Sequence, residues 1–85
     1  MVSFVPKGVC AKRIDFAIDE DSKVRDVRFE GGCSGNSAGV AKLVEGRDAD
    51  EIVGLLGGIT CGRKDTSCPD QLAQALTEAL AAQRQ

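Results

Sequence analysis

The chain has no histidine, no tryptophan and no tyrosine, and its only aromatic residues are Phe4, Phe16 and Phe29. Without histidine there is no Ser-His or Cys-His nucleophile pair and no mixed Cys/His metal site. Three scattered phenylalanines do not make a stacking platform for bases. No apolar run is long enough to span a bilayer. Nor is there a long basic run: 11 Lys and Arg stand against 13 Asp and Glu, a net charge of −2. That balance argues against nucleic acid as a partner. The segment Met1-Val2-Ser3-Phe4-Val5-Pro6-Lys7-Gly8 lacks the apolar stretch and small-residue cleavage site of a secretory signal, so the cytoplasm is the expected location.

What is present suits one globular domain over residues 1–85, with 42% apolar and 28% charged residues. That is too apolar for intrinsic disorder. A core this small is marginal by itself, so a metal, a partner or a second copy is expected to add to it. There is no repeat, low-complexity tract or linker.

The first half reads as strand. Phe4 and Val5 form a short first strand, stopped by Pro6 and Gly8. Ile14, Phe16 and Ile18 alternate with Asp15 and Ala17, the period of a half-buried strand over 11–18. Asp19-Glu20-Asp21-Ser22 is a polar turn. Val27 and Phe29 then alternate with Asp26, Arg28 and Glu30, the return strand of a hairpin over 24–30.

The second half reads as three helices. The first runs over 34–45, with Val40, Leu43 and Val44 on one face and Gly46 as its C-terminal stop. The second runs over 49–57, led by Asp48 with Glu51 three residues on, and has Ile52, Leu55 and Leu56 as its apolar face. The third runs over 68–82, where Leu72, Ala75, Leu76, Ala79 and Leu80 fall on one stripe and Pro69 sits in the first turn. Strands followed by helices predict an α+β domain: a small antiparallel sheet with an N-terminal hairpin, and three helices packed on one face. Ile52, Val53, Leu55 and Leu56 are more apolar surface than so small a monomer is expected to cover, which predicts a homodimer.

Four cysteines remain: Cys10, Cys33, Cys61 and Cys68. In a reducing cytoplasm an even set points to a metal site or redox chemistry rather than disulfides. All four fall at element boundaries, and none lies within an apolar stripe, where a core-filling cysteine would sit. Cys33 and Cys68 stand near helix N-termini, where the helix dipole favours a thiolate. Arg63 and Lys64 follow Cys61 closely and add positive charge, although solvated loop residues are the simpler account of that pair. Cys33 lies 23 residues after Cys10, Cys61 28 after Cys33, and Cys68 7 after Cys61, so there is no C-x₂-C knuckle and convergence must come from the tertiary fold. Four thiolates suit tetrahedral zinc or an iron–sulfur centre, and the spacing does not separate these. Redox thiols and small buried side chains are the rival readings.

The glycines around Cys33 admit two readings. Gly32, Ser34, Gly35 and Asn36 open a helix and present backbone amides that suit an anion, phosphate or small ligand. A tight turn with close helix–sheet packing is the plainer account, since the segment has no P-loop lysine and does not fit G-x-G-x-x-G. Asp65 and Asp70 are candidates either for hydrogen bonds near the site or for helix caps.

Thr66-Ser67-Cys68-Pro69-Asp70 resembles the signature that names the TSCPD domain. The likeness extends to Gly8-Val9-Cys10, Gly31-Gly32-Cys33-Ser34-Gly35-Asn36, Leu43-Val44-Glu45-Gly46, Gly58-Ile59-Thr60-Cys61-Gly62 and Gln71-Leu72-Ala73. The chain looks like the stand-alone TSCPD proteins, and the module resembles the C-terminal domain of adenosylcobalamin-dependent ribonucleotide reductases. The resemblance implies metal binding through Cys10, Cys33, Cys61 and Cys68. It does not carry over the reductase reaction, because 85 residues cannot hold that enzyme's catalytic barrel, so a non-enzymatic module is expected. A weaker architectural likeness is to U-type iron–sulfur scaffold proteins. It keeps open a role in passing electrons, sulfur or iron to a larger enzyme partner such as a ribonucleotide reductase.

Overall fold

The structure is a computed structural model that describes residues 1–9, 11–31, 34–60, 62 and 65–83, with backbone alone over 34–37. Three strands, β1 (Val2–Phe4), β2 (Ala11–Ile18) and β3 (Val24–Gly31), are followed by three helices, α1 (Ser34–Val44), α2 (Ala49–Leu56) and α3 (Cys68–Gln83). The strands form one antiparallel sheet in the order β1-β2-β3. This is the expected α+β architecture. The first strand begins earlier than Phe4 and ends there, before Pro6 removes a backbone donor.

The hairpin turn is built by Asp19, whose Oδ1 accepts the amides of Asp21 and Lys23, both at 2.9 Å. From Asp26 to Glu30 the return strand alternates as expected, but the phase breaks before Asp26. Val24 and Val27 are both buried although they are three positions apart. A bulge explains this: Asp15 pairs with Arg28 and Ala17 with Arg25, so β3 carries one extra residue between those pairs. Asp26 takes that place with a φ of 56°. A second bulge lies near Lys12 on β2, since Ala11 pairs with Gly31 and Arg13 with Glu30, and it turns Ala11 inward together with Ile14 and Phe16.

The sheet's β3 edge is covered by the link between α1 and α2. Gly46 donates to the Val24 carbonyl at 2.7 Å, Val24 to Arg47 at 2.8 Å, and Ala49 to Ser22 at 2.8 Å. Gly46 makes this approach with a φ of 75°, where a side chain would be strained and would also press on the Arg25 guanidinium. Asp48 caps α2 by accepting the Asp50 amide. Chain is thereby paired to an otherwise open edge.

The core joins Ile14, Phe16, Val24 and Val27 of the sheet to Val44, Ile52, Leu72, Ala75, Leu76 and Leu80 of the helices. The α3 stripe is buried as its period predicts, with Ala79 at its margin. Two expected core residues are not there: Leu43 is 72% exposed and Leu55 62% exposed. On α1 the inward turn is carried by Val40, Ala41 and Val44. On α2, Val53 and Leu56 flank Ile52 against the core. Of the apolar face on which a homodimer was expected, Ile52 is buried, Val53 and Leu56 are partly buried and Leu55 is exposed. No described helix is long and apolar enough to cross a membrane.

Candidate functional site

The first turn of α3 gathers the most concentrated polar network among the described residues. Ser67 is its N-cap: its Oγ accepts the Asp70 amide at 3.2 Å, and its carbonyl accepts the Gln71 amide at 2.8 Å. The same hydroxyl donates to the Ile59 carbonyl at 2.7 Å, so the cap also pins the loop that follows α2. Capping of α3 thus falls to Ser67, not to Asp65 or Asp70. Asp65 is exposed.

Asp70 has a different task. It is buried and accepts three donors: the Gly58 amide on Oδ1 at 2.8 Å, and on Oδ2 the Thr66 hydroxyl and Gln74 Nε2, the latter at 3.1 Å. The Thr66 hydroxyl and then the Gly58 amide hold its carboxyl below the ordinary carboxylate range, against the opposing effect of burial, and Gln74 adds to them. Charge-assisted bonds of this kind are the stronger ones.

Thr66 passes the network on. While donating to Asp70, its Oγ1 accepts Gln71 Nε2 at 2.9 Å. The other end of the buried Gln71 amide accepts the Lys7 backbone amide at 3.1 Å. Gly8 follows at a φ of 75°, so close to Thr66 that a Cβ there would stand 3.2 Å from the threonine methyl. The chain before Cys10 and the chain before Cys61 are therefore both fastened to the helix that Cys68 begins.

A family model for the TSCPD domain matches residues 2–80. The chain belongs to the TSCPD domain family. No curated protein and no solved structure matches it. Within this TSCPD domain the signature residues divide their work: Thr66 and Asp70 clasp the preceding loop, Ser67 caps the helix, and Cys68 stands half-buried at its first position. Pro69 occupies the first turn, where its missing amide costs no helical bond.

Of the residues singled out in the sequence, Cys68 is described, while Cys10, Cys33 and Cys61 lie outside the described residues, as do Gly32, Arg63 and Lys64. Ser34, Gly35 and Asn36 form the backbone start of α1, and their side chains also lie outside. Among the described residues no group of three or more His, Cys, Asp or Glu is arranged to hold a metal ion.

Sequence reasoning gave no part in this network to Gln74 or Lys7, and it took Gly58 and Gln71 only as part of the family likeness. Gln71 directly follows the signature, but nothing in its type or spacing reveals a partner 64 residues away.

Proposed function

We propose that this TSCPD domain is a metal-binding module in which Cys10, Cys33, Cys61 and Cys68 supply thiolates to one centre, either zinc or iron–sulfur. The observation that supports this is a set of pairwise contacts between described residues near each cysteine. Ala11, next to Cys10, pairs with Gly31, two residues before Cys33. Gly8, two residues before Cys10, lies against Thr66, two residues before Cys68. Ile59, two residues before Cys61, is bonded to Ser67, the neighbour of Cys68. Adjacent Cα atoms are about 3.8 Å apart, and contacts this near to each cysteine in sequence support the reading that the four thiolates share one centre.

The donor chemistry fits such a group. A chain without histidine offers sulfur as its soft ligand, and four thiolates make a closed tetrahedral set or the ligands of a cluster. The protein's part would be to present thiolates from the start of β2, the β3–α1 junction, the α2–α3 loop and the start of α3. When bound, the metal would supply a cross-link between elements distant in sequence, and with it stability.

The test is metal analysis with a visible absorption spectrum of protein purified without oxygen. One zinc per chain with no visible band, or iron and sulfide with the charge-transfer absorption of a cluster, supports the proposal. Metal-free protein that also takes up neither zinc nor a reconstituted cluster under reducing conditions overturns it.

A further inference from the structure

The network around α3 reaches further than helix capping requires. A cap needs Ser67 alone. Here Thr66, Asp70 and Gln71 form a continuous chain of bonds from the Gly58 amide to the Lys7 amide, through Asp70 Oδ1 and Oδ2, Thr66 Oγ1, and Gln71 Nε2 and Oε1. Both end points are backbone amides of cysteine-bearing segments, and the chain between them is carried by side chains on and just before the helix that Cys68 opens. Asp70 and Gln71 are 7% and 5% exposed and Thr66 is half-buried, so these bonds are partly shielded from water, where a missing partner is costly.

We propose that Thr66, Asp70 and Gln71 are positioning residues that assemble the thiolate site before any metal arrives. The inference rests on the four-thiolate reading and adds how the site is prepared. In small metal domains the ligands are often scattered until the ion gathers them, and the apo chain is unfolded. In this domain protein hydrogen bonds already hold the segments before Cys10 and Cys61 on the helix of Cys68. The ordering cost of those segments is met in folding, so metal binding draws on a site with less freedom left to lose. Thr66 is central because its one hydroxyl donates to Asp70 and accepts from Gln71, and its methyl rests by Gly8.

The experiment uses cobalt(II) as probe under reducing, oxygen-free conditions, reading thiolate-to-cobalt charge-transfer absorption and the rate of cobalt loss to a chelator. Thr66→Val and Gln71→Leu are expected to weaken cobalt binding about 10-fold or more and to speed its loss, as for other groups that orient ligands. Thr66→Ser, which keeps the hydroxyl, is expected to restore most of the affinity. Leu80→Ala, a core truncation remote from the network, is expected to lower stability while folded protein binds cobalt as before. Amide hydrogen exchange on metal-free wild type gives a readout that needs no variant: Gly58 and Lys7 are expected to be protected already. Unchanged cobalt affinity in both Thr66→Val and Gln71→Leu, or Gly58 and Lys7 amides protected only after metal is added, overturns the inference. Wild type that binds no cobalt overturns the four-thiolate reading itself, a different outcome.

Discussion

Gly58 donates its amide to Asp70 Oδ1 at 2.8 Å, joining positions 12 residues apart and closing the loop that contains Cys61 onto the start of α3. The carboxylate is buried and shares its other oxygen with Thr66 and Gln74. Asp70→Ala deprives three donors of their acceptor at once. Loss of a charged hydrogen-bonding group in such a place costs about 2–3 kcal/mol. Urea denaturation of the metal-free protein should show that loss, with Asp70→Asn intermediate because its amide keeps one oxygen for Gly58. A loss under 0.5 kcal/mol, by the same scale, would contradict the clasp.

Leu43 and Leu76 are equally apolar in sequence, and their mutants should separate them. Leu76 is fully buried in the sheet–helix core, whereas Leu43 is 72% exposed. Leu76→Ala is expected to cost about 2–5 kcal/mol and leave little folded protein. Leu43→Ala is expected to change stability by no more than about 0.5 kcal/mol. Thermal unfolding followed by circular dichroism compares the two directly.

The β3 bulge makes Asp26 sensitive to side-chain shape. At a φ of 56° aspartate is tolerated, glycine is relaxed and a β-branched residue is strained. The Asp26 amide also donates to Glu45 Oε1 at 2.9 Å, a bond any residue but proline keeps. Asp26→Gly should therefore match or slightly exceed wild-type stability, and Asp26→Val should fall below it by about 1–2 kcal/mol. Equal stability of the two variants would argue against the bulge.

Acid sensitivity has an identifiable contributor at the hairpin turn. The Lys23 backbone amide, the largest effect, holds Asp19 below its ordinary value of 3.8 against desolvation, the next largest, and Arg25 and the Asp21 amide add to the lowering. A carboxyl lowered on folding stabilises the fold above its unfolded pKa, and that stabilisation is lost as pH falls through the folded value. Wild type should thus lose stability as pH drops from about 4, and Asp19→Asn should lose less over the same range. Denaturation midpoints at several acidic pH values, read as a difference between the two proteins, test the sign.

The elements were legible because their signals are local. The i, i+3, i+4 spacing of Leu72, Ala75, Leu76, Ala79 and Leu80 needs no distant partner to mark a helix face, and α3 buries that stripe. Gly46 and Asp48 mark the joint between α1 and α2 for the same reason, since a left-handed residue and an N-cap act within a turn of where they stand. The signature around Cys68 identified the family before any coordinate was needed, and the family match spans residues 2–80.

Other properties were decided only by tertiary contacts. Strict alternation on β3 would have turned Val24 away from the face of Val27, and the extra residue at Asp26 reverses that phase through pairing with β2. Leu43 fits an apolar face on paper, but the sheet meets α1 along Val40, Ala41 and Val44 and leaves it outside. Asp70 reads as one more acidic residue at a helix start until Gly58 and Thr66 are brought to it. Gln71 belongs to the family likeness, but its partner does not show in sequence because Lys7 lies 64 residues earlier. Chain-local preferences decide which elements form, while hydrogen bonds between remote backbone and side-chain groups exist only once those elements have packed. The cysteine pattern belongs to the first kind of information, and the clasp that joins its segments belongs to the second.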